Sequence, residues 1–224
     1  MEIKLSELIA PQFYDIHWDI LKGKHTHYKL YGGRGSTKSS FVSIEIILGM
    51  MQDPNANAAC FRRVGNTLAE SVFEQLLWAI DALKVNHLWK VTLSPLRLTY
   101  KPTGQRIVFR GCDDPNKSKS IKLRHGYFKY IWYEERAEFE GDEDERKINQ
   151  SLMRGGDKYV VFYTWNPPKS LNSWVNQDVL QVRDDTLCSH STYLTVPRHW
   201  LGEQFFVEAE ELKKRLSLIH ISEP

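Results

Sequence analysis

Short apolar runs and longer stretches of helical spacing alternate along the chain. The run "HYKLY" (27–31) predicts a short buried strand that feeds directly into glycines. Residues 38–51 are apolar almost all round, Glu45 excepted, which predicts a deeply buried helix. "AACFRRV" (58–64) has strand character, and over 67–83 Leu68, Val72 and Leu76 recur every fourth residue with Phe73, Leu77 and Ile80 beside them, as in an amphipathic helix. Two alternating runs within "WKVTLSPLRLTYKPTGQRIVFRG" (89–111) flank Pro102-Thr103-Gly104 and predict one β-hairpin.

A polar, basic loop, "CDDPNKSKSIKLRHG" (112–126), leads into the strand "YFKYIWY" (127–133), which ends at Glu134 and Glu135. An acidic segment then enters a helix that ends near Arg154 and is closed by Gly155-Gly156. "KYVVFYTW" (158–165) is a further strand, stopped by Asn166-Pro167-Pro168. A short helix over 172–180, a strand near 187–195 and a helix over 203–216 complete the pattern. Strands separated by helices predict an α/β domain with a mostly parallel central sheet, helices on both faces and the 89–111 hairpin as an insertion. We expect this domain over 1–216, its core over 27–196. "SLIHISEP" (217–224) continues no periodic pattern and reads as an extraneous or disordered tail.

Composition narrows the class. With 42% hydrophobic and 26% charged residues over 224 positions, the chain resembles an ordinary soluble domain that can bury a sizeable core. A net charge of +2 does not announce nucleic-acid binding, although local patches can still provide it. Cys60, Cys112 and Cys188 form no zinc spacing, which predicts free thiols in a reducing compartment, with Cys60 and Cys188 packed. There is neither an apolar run of membrane length nor a secretion signal's apolar core, so we expect a cytosolic protein.

Three stretches carry chemistry. In "GGRGSTKSS", Gly32, Gly33, Arg34, Gly35, Ser36, Thr37, Lys38, Ser39 and Ser40 lie between a strand and a helix, as a phosphate-binding loop requires. Backbone N–H groups there cradle oxygens, Lys38 reaches the outer phosphates, and the Ser39 hydroxyl suits magnesium. Thr37 stands where the usual pattern has its second glycine. Arg34 is either a solvated cation or an arginine that supplies charge to a γ-phosphate. Glu134 and Glu135 end an apolar strand, where one carboxylate can hold magnesium and its neighbour can orient or deprotonate the attacking water. Thr164 and Asn166 end the next strand, where Asn166 is either a simple Asx-Pro turn or a polar sensor of the γ-phosphate.

Together "YGGRGSTKSS", "RRVGNTLAESVFEQL", "FRGCDDPNKSKSIK", "YIWYEERAEF" and "YTWNPP" resemble, in order, the ATPase domain of a tailed-phage terminase large subunit, of the Bacillus prophage-like (PBSX-type) branch. The resemblance implies a P-loop NTPase fold of the ASCE/RecA-like kind and a motor that hydrolyses ATP with Mg2+ to thread double-stranded DNA into a procapsid. Gly32 to Ser39 would form the Walker A loop, Glu134 and Glu135 the Walker B pair, and Thr164, Trp165 and Asn166 the motif coupling hydrolysis to movement. The implied partners are the portal protein and procapsid, the small terminase subunit and further copies in a ring, all in the host cytoplasm. Arg124, or else Lys122, is the candidate that completes a neighbour's site, and adenine contact is expected near Pro11-Gln12-Phe13. DNA would meet Lys117, Lys119 and Lys122, or Arg62 and Arg63, unless these are a solvated face. The family's nuclease domain is not expected in this chain, because Asp178, Asp184 and Asp185 read as surface acids. A helicase-like ATPase and a nucleotide-binding assembly module that hydrolyses nothing remain the alternatives.

Overall fold

The computed structural model describes residues 3–112 and 121–221. Among these residues, eight strands form one sheet: β1 (His27–Gly32), β2 (Ala56–Arg62), β3 (Trp89–Leu93), β4 (Leu96–Tyr100), β5 (Arg106–Gly111), β6 (Tyr127–Glu134), β7 (Val160–Trp165) and β8 (Thr186–Ser191). Their order across the sheet is β3-β4-β5-β2-β6-β7-β1-β8. From β5 to β8 every pairing is parallel, and β3-β4 and β4-β5 are antiparallel. The helices are α1 (Tyr14–Lys22), α2 (Lys38–Gln52), α3 (Glu74–Ala82), α4 (Glu143–Leu152), α5 (Trp174–Val179), α6 (Arg198–Leu201) and α7 (Glu203–Ile221).

Alternation along the strands divides the interior into two cores. Ala58 and Cys60 of β2, with Val160 and Phe162 of β7, join the side chains of α1, α2 and α3. Ala59 and Phe61, with Val161, Tyr163 and Trp165, face the other way onto Ile148 and Leu152 of α4 and Val175 of α5. This is the period of two that a sheet covered on both faces demands. The α2 helix is buried nearly all round, and the carboxylate of its buried Glu45 meets His17 of α1 at 2.7 Å.

Four expectations change. The 89–111 segment is a three-stranded meander rather than one hairpin, because the chain also reverses at Ser94-Pro95, between the paired Leu93 and Leu96. No glycine marks that turn, and apolar positions continue on both sides of it. The helix expected over 67–83 opens with a wider turn over Ala69–Phe73, where the Phe73 N–H donates to the Leu68 carbonyl at 3.1 Å, before α3 begins. The last strand stops at Ser191 and passes into a single tight turn over Tyr193–Thr195. Cys188 is exposed on this edge strand rather than packed. Among the described residues, no helix is long and apolar enough to cross a membrane.

Candidate active site

Parallel strands bring their carboxyl ends to one edge, and ligands of open α/β sheets bind there. Leaving that edge, β1 runs into the glycine loop, which ends where α2 starts at Lys38. A Cβ on Gly32 would lie 1.9 Å from the Ser191 carbonyl of β8, so only glycine lets the two chains pass so closely. Gly35, at φ 75°, packs against the ring of Phe205 from α7. Thr37 caps α2 at φ 60°, in the left-handed region that the pattern's glycine would adopt freely. The first turn of α2 points its unpaired N–H groups into the loop, a ready cradle for an anion.

Lys38 is buried and folds back over the loop. Its Nζ donates to Asn166 Oδ1 at 2.7 Å, to the carbonyls of Gly32 and Gly33 at 3.0 and 3.4 Å, and to Ser36 Oγ at 3.5 Å. Burial pulls the ammonium pKa below its usual value, and the charges of Glu135 and then Glu134 work against that fall. Lysine, both carboxylates and the asparagine amide therefore share one electrostatic environment.

The sheet order explains this convergence. β7 lies between β1 and β6, pairing Tyr31 with Trp165 on one side and Glu134 with Thr164 on the other. On its far side β6 adjoins β2, and the Phe61–Tyr133 pairing sets Arg62 beside Glu134. The Arg62 Nε lies 2.7 Å from Glu134 Oε2, yet these two atoms are not aligned as a hydrogen bond. The contact is a charge pair, and among the described residues neither of these two atoms has a hydrogen-bond partner. Burial raises the Glu134 carboxyl to about 7; Arg62 pulls it down, and Glu135 and Glu138 push it up. Glu135 follows at φ 53°, a turn that lets adjacent carboxylates leave the strand end without alternating across the sheet. Thr164 Oγ1 accepts from Trp132 Nε1 at 2.9 Å, and Trp165 stacks on Tyr31 on the opposite face.

On the loop's other flank, Gln12 donates through Nε2 to the carbonyls of Ser36 (2.9 Å) and Thr192 (3.2 Å) and accepts from the Thr192 N–H. The remaining candidates lie elsewhere. Arg34 is exposed at the loop tip. Arg124 and Lys122 are exposed ahead of the amino end of β6, roughly 25 Å of strand away from Glu134, so Arg124 is not part of its own chain's site. Lys117 and Lys119 fall outside the described residues. Arg62 is not a surface cation, being committed to Glu134, Glu138 and Ser71, and Arg63 pairs with Glu140 at 2.6 Å. Nor is Asp178 an ordinary surface acid; it pairs with Lys29 of β1 and with Arg136. A cleft of about 340 Å³ opens at the opposite, amino edge of the sheet, but four of the charged groups lining it are already paired, His17 with Glu45 and Lys129 with Asp53. Convergent chemistry, rather than hollow volume, marks the carboxyl edge as the site.

A family model described as phage terminase large subunit matches residues 24–218. The chain belongs to that family. It is 45% identical over 223 residues to the large terminase subunit of Bacillus phage SPP1, covering 97% of this chain and 52% of that protein. It is 33% identical over 164 residues to the PBSX phage terminase large subunit of Bacillus subtilis (strain 168), covering 73% of this chain and 36% of the relative. The chain thus spans about half of the first terminase and about a third of the second. Among solved structures, the large terminase of a thermophilic bacteriophage superposes with a TM-score of 0.70 at 13% identity, over 90% of this chain and 50% of that one. The same terminase in complex with ADP superposes at 0.66, with 12% identity, over 90% of this chain and 49% of that one. At that identity the likeness establishes the fold, a P-loop NTPase-like α/β sheet, as expected from the terminase motifs.

Proposed function

We propose that this terminase chain binds ATP with magnesium at the carboxyl edge of its sheet and hydrolyses it to drive double-stranded DNA into a procapsid. One observation carries the reading: the Lys38 ammonium lies under the influence of both Glu134 and Glu135 while it bonds to Asn166. The loop N–H groups and Lys38 would hold the phosphates, with Arg34 at the tip supplying further positive charge. Oxygen donors suit a hard cation, and the Ser39 hydroxyl and the Glu134 carboxylate would hold it, Glu134 Oε2 being a buried oxygen with no hydrogen-bond donor among the described residues. Bound there, magnesium would neutralise charge on the phosphate oxygens. Glu135 would orient the attacking water and take its proton. For Lys38 to reach a γ-phosphate it must leave Asn166, so occupation of the loop would be reported to β7 and the prolines after it, the coupling role of Thr164, Trp165 and Asn166. Gln12, at the loop's flank, favours the adenine on that side. Copies in a ring on the portal would let the exposed Arg124 serve only a neighbour's site, with the small terminase subunit as the other partner.

Phosphate release at high protein concentration tests the reading. Lys38→Ala is expected to weaken ATP binding by at least tenfold, whereas Glu135→Gln should bind normally and lose turnover. Normal hydrolysis by Glu135→Gln would remove that residue from its role. Stimulation by forked DNA, but not by portal and procapsid, would favour a helicase-like enzyme instead.

A further inference from the structure

Arg136 follows Glu135 immediately, yet its side chain turns away from the nucleotide edge and enters the second core. Arg136 is 2% exposed. Nε donates to both oxygens of Glu145 on α4, at 2.9 and 3.1 Å, and one Nη donates to Glu145 Oε2 at 2.8 Å. The other Nη donates to Asp178 Oδ2 of α5. Tyr163 and Trp165 of β7 and Trp174 of α5 surround its faces, with ring centroids at 4.5, 5.5 and 4.7 Å. Asp178 also accepts from Lys29 Nζ at 2.7 Å, and Lys29 lies three residues before Gly32 on β1. One planar cation therefore touches, directly or through Asp178, the strands that carry the glycine loop and Asn166 and the turn that carries Glu135.

Burying so many charges is a poor way to gain stability, since hydrophobic replacements of similar shape often do as well. A different need is visible at Glu135. Its backbone sits at φ 53°, ψ 51°, where a non-glycine residue is strained and stays only if its surroundings enforce it. No regular element follows to do so, only the single turn Arg136–Glu138. We propose that Arg136 is the positioning residue for Glu135: clamped by Glu145 and Asp178, it fixes the glutamate turn in register with the glycine-loop strand. Arginine suits the task because its fixed fork engages two carboxylates at once, which a lysine point charge cannot reproduce. The inference rests on the hydrolytic reading of Glu135 and adds the group that aims it.

The test compares nucleotide affinity, measured with a fluorescent ATP analogue, and kcat, measured by phosphate release, in variants checked by thermal melting. Arg136→Met combined with Glu145→Gln removes the pair without stranding a buried charge, and Asp178 keeps Lys29. Affinity is expected to stay within threefold of wild type while kcat falls at least tenfold, with Arg136→Lys recovering only part of the loss. Unchanged kcat, or affinity and kcat lost together, would reduce Arg136 to a staple between α4, α5 and the sheet. Should the double variant fail to fold, Asp178→Asn, which leaves the Arg136–Glu145 pair intact, must show the same split; kcat equal to wild type overturns the proposal. A wild-type chain that binds the analogue and never releases phosphate would sink the hydrolytic reading itself, and this inference with it.

Discussion

Two non-glycine residues in left-handed backbone, Thr37 and Glu135, bracket the candidate site at the scale of single residues. Thr37 also buries a hydroxyl with no hydrogen-bond partner among the described residues. Thr37→Gly removes both costs and restores the usual glycine, so we expect a gain of about 1 kcal/mol, read from denaturant midpoints, despite the added freedom of the unfolded chain. The glycine loop, the glutamate pair and the asparagine were legible because each is a local pattern at a strand end. Arg62 was not: its place beside Glu134 depends on β2 neighbouring β6, which sequence order does not reveal. That contact has a consequence with pH. With its pKa near 7, Glu134 is largely protonated at pH 6 and largely ionised at pH 8. Magnesium-dependent nucleotide affinity should therefore rise across that interval, and Arg62→Met, by removing the cation that lowers the pKa, should move the midpoint upward. A magnesium titration at stepped pH that stays flat would contradict this.

The elements followed their hydrophobic periods closely, and α2 shows how tightly they meet. Gly49 lies in its last turn, where an added Cβ would approach the Tyr130 hydroxyl of β6 to 1.9 Å. Gly-to-Ala changes inside helices usually help by up to about 1 kcal/mol. Here overpacking should win, and Gly49→Ala should cost about 1–3 kcal/mol in urea unfolding. Adding Tyr130→Phe should return only part of that loss, because the oxygen is then gone but the ring carbon Cζ still lies 2.4 Å from the added Cβ. Where element reading failed, the local signal was silent. The Ser94-Pro95 reversal lacks glycine, and the wide turn over Ala69–Phe73 keeps the apolar spacing of an ordinary helix.

For the molecule as a whole, the α/β class and covering of both faces followed from alternation, but the strand order had to be seen. Inserting β7 between β1 and β6 brings three separate motifs together at one edge of the sheet. The same packing makes the fold acid-sensitive. His27, at the start of β1 between β7 and β8, bonds through Nδ1 with the Tyr163 hydroxyl at 3.1 Å, and burial lowers its pKa to about 4 despite the nearby Asp185. Unfolded, the ring would take its proton near 6.5, so stability is lost as pH falls from there toward 4, by about 2 kcal/mol at pH 5. His17, whose pKa is raised by its bond to Glu45, acts in the opposite sense. The difference between wild type and His27→Gln in urea unfolding at pH 7 and pH 5 therefore isolates the His27 contribution.

The side-chain amide of Gln12 works as a buckle. It fastens the turn over Pro11–Phe13 to the exit of β8, with the Ser36 carbonyl caught beneath the same clasp. Trimming the first dozen residues would undo both ends of that belt in one cut. Such a shortened chain should keep its sheet yet hold the loop slackly, so wear at the amino end would surface first as a poorer grip on nucleotide.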